Sequence, residues 1–199
     1  YTALCWATRH PVGVRQCQKP EYFTGDIVWL TPTEIPKDRI AVLSDSRERI
    51  TKDALRKSSA RLLPKGTVLM TSRATIGYVA IAGTEVTTNQ GFASFICSDG
   101  VFNSYLAYWL SAQRENFIEQ ATGTTFKEIT KSKLRPIEFP LAPLAEQRRI
   151  VAKIEELFTR LDAGVAALKR VQAALKRYKA SVLKAACEGR LVPQASQDR

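Results

Sequence analysis

Residues 144–188 contain no proline and a single glycine, Gly164. Within this stretch Ile154, Leu161, Leu168, Leu175 and Val182 recur every seven residues, and Ile150, Leu157, Val171 and Tyr178 occupy the position three residues on. An a/d seam held over about five heptads commits the stretch to one long helix with an apolar edge. At 1.5 Å per residue it would span ~67 Å. Pro143 suits the first helical turn, Glu146 the positive N-terminal end, and Gly189 the C′ position that stops the helix. Gly164 falls on a d position, and Asp162 beside it can cap a second helix, so a break or a close approach is expected there if anywhere. A lone helix of this length leaves its seam wet, and nothing else in the chain is a matching partner. Folding back is disfavoured, because a domain of roughly 140 residues is only ~30 Å across. The predicted pairing interface is Ile150, Ile154, Leu157, Leu161, Leu168, Val171, Leu175, Tyr178 and Val182, against a second copy or another part of a larger polypeptide.

Before Pro143 the pattern changes. Short apolar runs alternate with turn residues, which predicts strands over 26–30, 67–71, 78–82, 92–96 and 137–139. Pro64-Lys65-Gly66, Ala82-Gly83-Thr84 and Asn89-Gln90-Gly91 supply turns. Helices are predicted over 51–58, starting near Thr51, and over 103–120, where Tyr105, Trp109, Ala112 and Phe117 share a face and Asn103 or Ser104 caps. The expected fold is α+β: a globular domain with a mixed or antiparallel sheet over 1–142, a coiled-coil-forming helix over 143–190, and a tail over 191–199.

Several chemistries are excluded by what the sequence lacks. Cys5, Cys17, Cys97 and Cys187 form no C-x-x-C pair, so neither a zinc ribbon nor a redox dithiol is written here; the even count allows two disulfides, but at this length and charge free thiols are expected. His10 is the only histidine and sits between Arg9 and Pro11, a poor setting for a catalytic base. No G-x-G dinucleotide loop and no phosphate-binding G-x-x-x-x-G-K-[ST] loop occurs. No catalytic residue, metal site or cofactor is therefore expected. No apolar run approaches the ~18–20 residues of a membrane span. No secretory leader is read, although the chain opens on Tyr1 rather than Met and can be a fragment; a cytoplasmic location is expected.

The formal net charge of +11 invites a polyanion. Residues 144–190 carry eleven basic against five acidic side chains, a +6 that for the most part solvates a coiled-coil face. The remaining +5 lies in the globular part. There Arg47, Arg49, Lys52, Arg56, Lys57 and Arg61 form one cluster, and Lys127, Lys131, Lys133 and Arg135 another. Two segments mix bases with hydroxyls in predicted loops, Thr71-Ser72-Arg73-Ala74-Thr75-Ile76-Gly77 and Gly123-Thr124-Thr125-Phe126-Lys127. Arginine can bridge guanine O6 and N7, Asn89 and Gln90 can read adenine edges, and small hydroxyls hold phosphates. Each segment alone reads more simply as a solvated loop. Together with the charge they bring DNA binding level with that plainer reading; double-stranded DNA as partner enters with the resemblance below.

The stretch Phe139-Pro140-Leu141-Ala142-Pro143-Leu144-Ala145-Glu146-Gln147-Arg148-Arg149-Ile150-Val151 enters the helix through a P-L-x-E-Q-x-x-I pattern. This resembles the specificity (S) subunits of type I restriction-modification systems. Leu183-Lys184-Ala185-Ala186-Cys187-Glu188-Gly189-Arg190-Leu191 is similar to the end of their helical spacer. Gly25-Asp26-Ile27-Val28-Trp29-Leu30, Leu63-Pro64-Lys65-Gly66-Thr67-Val68-Leu69 and Thr88-Asn89-Gln90-Gly91-Phe92 are similar to their target recognition domains. So is Gly123-Thr124-Thr125-Phe126-Lys127. The resemblance implies a non-catalytic subunit that recognises DNA and positions a methyltransferase (M) subunit and a translocating nuclease (R) subunit on a bipartite site. Family members carry two recognition domains and two helical regions packed antiparallel; this sequence contains one of each.

On this reading Arg73 is the leading base reader. Thr71, Ser72, Thr75, Asn89, Gln90, Thr124, Thr125 and Lys127 would touch base edges or phosphates, and Arg56 and Lys57 would anchor phosphates. Two copies paired antiparallel would put their domains near opposite ends of a ~67 Å rod, compatible with half-sites up to about two ~34 Å turns apart. Two-fold symmetry would then predict a palindromic target, and a single longer chain an asymmetric one. The rival readings are a recognition appendage of a fused methyltransferase or nuclease, and a coiled-coil scaffold without DNA affinity.

Overall fold

The computed structural model describes the backbone of residues 4–7 and both backbone and side chains of 20–58, 60–123 and 127–191. Eight strands run β1 (Leu4–Ala7), β2 (Ile27–Leu30), β3 (Ala41–Leu43), β4 (Glu48–Ile50), β5 (Val68–Thr71), β6 (Val79–Ala82), β7 (Val86–Thr88) and β8 (Phe92–Cys97). Helices α1 (Lys52–Lys57), α2 (Asn103–Ala112), α3 (Arg114–Gln120), α4 (Lys131–Leu134) and α5 (Leu144–Cys187), with 3-10 turns at Pro20–Phe23 and Pro32–Glu34, complete the elements of the described residues. One sheet has the order β1-β8-β5-β6-β3, antiparallel except for the β3–β6 pair; a smaller sheet, β4-β2-β7, has one antiparallel and one parallel pair. The fold is α+β with mixed sheets and a long C-terminal helix, as the sequence predicted.

Side-chain alternation explains the layers. Val68 and Met70 of β5, Val79 and Ile81 of β6, and Ala93 and Phe95 of β8 face a core closed by Leu106, Leu110, Phe117 and Leu134 from α2–α4. The intervening Leu69, Ala80, Ala82 and Phe92 face the other way and meet Val28 and Leu30 of β2 and Val86 of β7. Trp29, between those two β2 residues, points outward to Tyr22, Ile50 and Ala54. Because β5, β6 and β8 are covered on both faces, they read as continuous apolar runs rather than alternating ones. Each large side chain fully removed from water contributes ~1.5–3 kcal/mol.

Element bounds follow identifiable local causes. Thr51 caps α1, its Oγ1 accepting from the Ala54 amide at 3.1 Å, which is worth ~1 kcal/mol. The helix predicted over 103–120 is two helices, because Gln113 adopts φ −83°, ψ 6° and bends the chain between α2 and α3. Its buried face is Leu106, Ala107, Leu110 and Phe117, while Trp109 and Tyr105 lie half-buried with ring centroids 5.2 and 5.6 Å from Phe139. Segment 137–139 is not a strand: Pro136 and Pro140 bracket it, and it serves as an extended strap whose Phe139 and Ile137 pack on the core. Strands β3, β4 and β7, three residues each, were too short to register as apolar runs.

Contacts divide the chain into two units, Tyr1–Val151 and Ala152–Arg199. The first two turns of α5 thus belong to the globular unit, and Gln147 fixes them there. Its side chain is completely buried, its Oε1 accepts from the Phe102 amide at 2.8 Å, and its Nε2 donates to the Gly100 and Ala142 carbonyls at 2.9 and 2.7 Å. The second unit is the rest of α5, helical without interruption through Gly164, so no break occurs there. At the C-terminal end Gly189 takes φ +69°, and the Arg190 amide donates back to the Ala185 carbonyl, the closure expected of a C′ glycine.

Candidate nucleic-acid interface

Three loops that are distant in sequence meet at one place. The Ser72 amide donates to the Gly91 carbonyl at 2.8 Å, the Ala74 amide to the Lys127 carbonyl at 3.0 Å, and the Ile129 amide to the Ser72 carbonyl at 2.9 Å. The loop after β5 is thereby tied both to the turn before β8 and to the segment leading into α4. Backbone bridges pair Glu128 with both Arg73 and Thr122. Arg73, Thr75, Asn89, Gln90 and Lys127 are brought to one assembly of loops by these bonds.

The β5 loop is held rigidly. Ala74 sits at φ +62°, a left-handed conformation a Cβ disfavours, and it persists because its neighbours over-determine it. Thr71 Oγ1 donates to the Thr75 carbonyl and accepts from the Tyr78 amide at 3.0 Å, and the Gly77 amide donates to the Thr71 carbonyl at 2.8 Å. Gly77 takes φ +85°, and a Cβ there would lie 2.6 Å from Arg114 Cγ. The Arg114 guanidinium closes the loop from behind, donating to the Ile76 carbonyl at 3.2 Å and the Tyr78 hydroxyl at 3.1 Å while lying 4.4 Å over the Tyr78 ring. Nothing in composition marks Arg114; only its place after the Gln113 bend brings it here.

These facts sort the predicted contact residues. Arg73 is half-exposed, with Nε 3.8 Å from Glu128 Oε2, a partly exposed pair worth at most ~1 kcal/mol and easily exchanged for another acceptor. Thr75 is half-buried, Asn89 half-buried, and Gln90 and Lys127 exposed. Thr71 and Ser72 are both buried, Thr71 fully; the Thr71 hydroxyl and the backbone groups of both residues build the turn. Asn89 Oδ1 accepts from the Gly91 amide at 2.9 Å, which leaves its side-chain amide to donate. Thr124 and Thr125 lie outside the described residues. Arg56 and Lys57 are exposed on α1, where Arg56 shares an open groove with Arg49, Lys52, Asp26 and Glu85, and the Lys57 ammonium lies 5.9 Å from the Tyr22 ring. The bonds that join the three loops do not involve α1.

Lys131, at the start of α4, belongs beside the loops as well. Its ammonium is shielded from solvent without a hydrogen-bond partner among the described residues. Burial first, then the nearby positive charges of Arg135 and Arg61, hold the amine below the ordinary lysine value. Among the described residues no cluster of histidine, cysteine or carboxylate groups fits a metal ion. Cys97 and Cys187 are free thiols; Cys5, Cys17 and His10 carry no described side chain.

On the second unit the predicted seam lies open. Leu161, Leu168, Val171, Leu175 and Tyr178 are each 60–71% exposed and Leu157 is 51% exposed, while Ile154 and Val182 are intermediate. Phe158 and Val165 widen the same stripe. Ile150, on the first unit, is half-buried.

Residues 13–171 match the type I restriction modification DNA specificity domain, and the chain belongs to that family. It is 42% identical over 132 residues to the MjaIX type I restriction enzyme specificity subunit of Methanocaldococcus jannaschii, a match covering 65% of this chain and 31% of that protein. Over 93 residues it is 34% identical to the EcoBI specificity subunit of Escherichia coli, covering 47% and 19%. Among solved structures, the HsdS subunit of Thermoanaerobacter tengcongensis superposes with a TM-score of 0.56 at 26% identity, over 85% of this chain and 39% of that one. A chain from a type I restriction-modification complex superposes with a TM-score of 0.65 at 24% identity, again over 85% of this chain, and 40% of its own length, a likeness of fold. The sequence thus spans less than half the length of these relatives and contains one target recognition domain.

Proposed function

We propose that the globular unit recognises a DNA sequence and that the chain acts as a specificity component of a type I restriction-modification complex. The joining of three loops around Arg73 carries this reading. A strained, doubly anchored loop presents one guanidinium, flanked by Gln90, Asn89 and Lys127, with no reorganisation needed before it meets a groove. Arg73 reads base edges; Lys127, and on α1 Arg56 and Lys57, act on phosphates. The chain itself does no chemistry; it positions M and R subunits on a bipartite site in the cytoplasm. No helix among the described residues is long and apolar enough to cross a membrane.

The open seam of α5 supports pairing with a helix carrying the same heptads, from a second copy or from the remainder of a longer S subunit. The test of recognition compares two variants on the selected target and on unrelated duplexes. Arg73→Ala changes the sequence preference by the ~1–3 kcal/mol of a lost bidentate contact, whereas Lys57→Ala weakens all duplexes alike and flattens the salt dependence. Wild-type behaviour of both variants would remove these assignments.

A further inference from the structure

The Lys131 ammonium is shielded from solvent at the start of α4, Arg135 follows one turn on with its amide bonded to the Lys131 carbonyl, and the positive charge of Arg61, seventy residues earlier in sequence, bears on the same amine. Arg61 precedes Leu63, whose amide and carbonyl both pair with Val86. Lys131 follows Ile129, whose amide is bonded to Ser72 in the Arg73 loop, and the Arg135 amide donates to the Lys131 carbonyl at 3.0 Å. Their backbones are thus fixed to the same scaffold as the base-reading loop. None of the three side chains has a hydrogen bond or an ion pair among the described residues, and the Lys131 ammonium is shielded from water as well. Glu128, the acid close by in sequence, is turned to Arg73.

A shielded ammonium with no acceptor among the described residues and two nearby guanidinium charges is unfavourable in the free protein. Such an arrangement favours an anion. We propose that Arg61, Lys131 and Arg135 form a binding site for a backbone phosphodiester of the DNA whose bases are read by the Arg73 loop. Arg61 and Arg135 are exposed and offer planar forks to the non-bridging oxygens. Lys131, half-buried along its stem, swings its ammonium to the same phosphate as a point charge. A phosphate clamped here fixes the register in which Arg73 meets the groove, and it does so on any sequence. The proposal rests on the DNA-recognition reading and assigns to it a positioning site that neither α1 nor the hydroxyl-rich loops supply.

The test uses the full chain with Arg61→Gln, Arg135→Gln and Lys131→Met, each titrated with a random-sequence duplex across a salt series. Inorganic phosphate is titrated separately at constant ionic strength. Each variant is expected to lower affinity for all sequences alike and to reduce the slope of log affinity against log salt by about one. Lys131→Met, which replaces the shielded charge by an apolar chain of similar length, is also expected to raise Tm without DNA. Wild-type affinity and slope in all three variants would overturn the site while leaving DNA recognition in place. No duplex binding by the wild type would overturn both. If inorganic phosphate raises the Tm of wild type but not of Lys131→Met, and duplex slopes stay unchanged, the site is a free-anion pocket and the backbone assignment falls.

Discussion

Thr71 and Arg73 stand two residues apart and serve opposite ends. Thr71 disappears into the turn with its hydroxyl bonded on both sides, while Arg73 emerges half-exposed against Glu128. Sequence could mark the loop but not this division, since a threonine bonded to backbone and one facing a phosphate look alike in a string of letters. The same holds for Lys131, whose environment depends on Arg61. Gln147 was legible as part of a helix-entry pattern, and its three hydrogen bonds give the physical reason for the pattern. Gln147→Leu leaves one amide and two carbonyls without partners and should lower unfolding stability by about 3 kcal/mol, measured by urea denaturation. An effect below ~1 kcal/mol would show that water replaces the side chain. The two described thiols should also separate. Burial pushes Cys97 up to about 11, whereas Cys187 is exposed on α5. At pH 8 Cys97 is then almost wholly protonated, and timed alkylation read by peptide mass spectrometry should modify Cys187 well before it. Because its folded-state value lies above the unfolded one, Cys97 adds stability that is lost as pH rises from about 9 towards 11. Equal alkylation rates would contradict the buried setting.

Among the elements, α5 was the most legible, because a period of seven over 44 residues has no competing reading. Strands β5, β6 and β8 were legible as apolar runs for the related reason that both their faces are buried. What escaped were the three-residue strands and the Gln113 bend, which are set by partners across the sheet and by local dihedrals rather than by composition. Gly164 is the informative exception on α5. It stands on the seam in unbroken helix, with nothing within 4 Å of where a Cβ would be. Gly164→Ala should therefore stabilise the helix by about 1 kcal/mol, read from the thermal melt of its circular dichroism. A loss of stability instead would mean that a neighbouring helix packs closely against this glycine in the assembly. The basic residues of α5 divide similarly: Lys153, Arg149 and Arg160 pair with Glu156 or Glu146, whereas residues 163–187 hold six bases and no acid.

At the scale of the molecule, a recognition domain and an unpartnered seam need each other only in an assembly. Leu168 is 71% and Tyr178 67% exposed, so a solution mass at twice the chain is expected if this sequence pairs with itself. A stable monomer at high concentration would instead assign the partner helix to another part of a longer S subunit. The symmetry of the target follows from that outcome: palindromic for two copies, asymmetric for one longer chain. In either assembly the proposed reader of DNA sequence is the globular unit, through the loops around Arg73. Selection from a pool of random duplexes by the wild-type chain and by Arg73→Ala, at moderate salt, tests it most directly. A defined motif is expected for the wild type and a relaxed or altered base at one position for the variant. Wild-type recovery of duplexes with no shared sequence, or the same motif from both proteins, would contradict it.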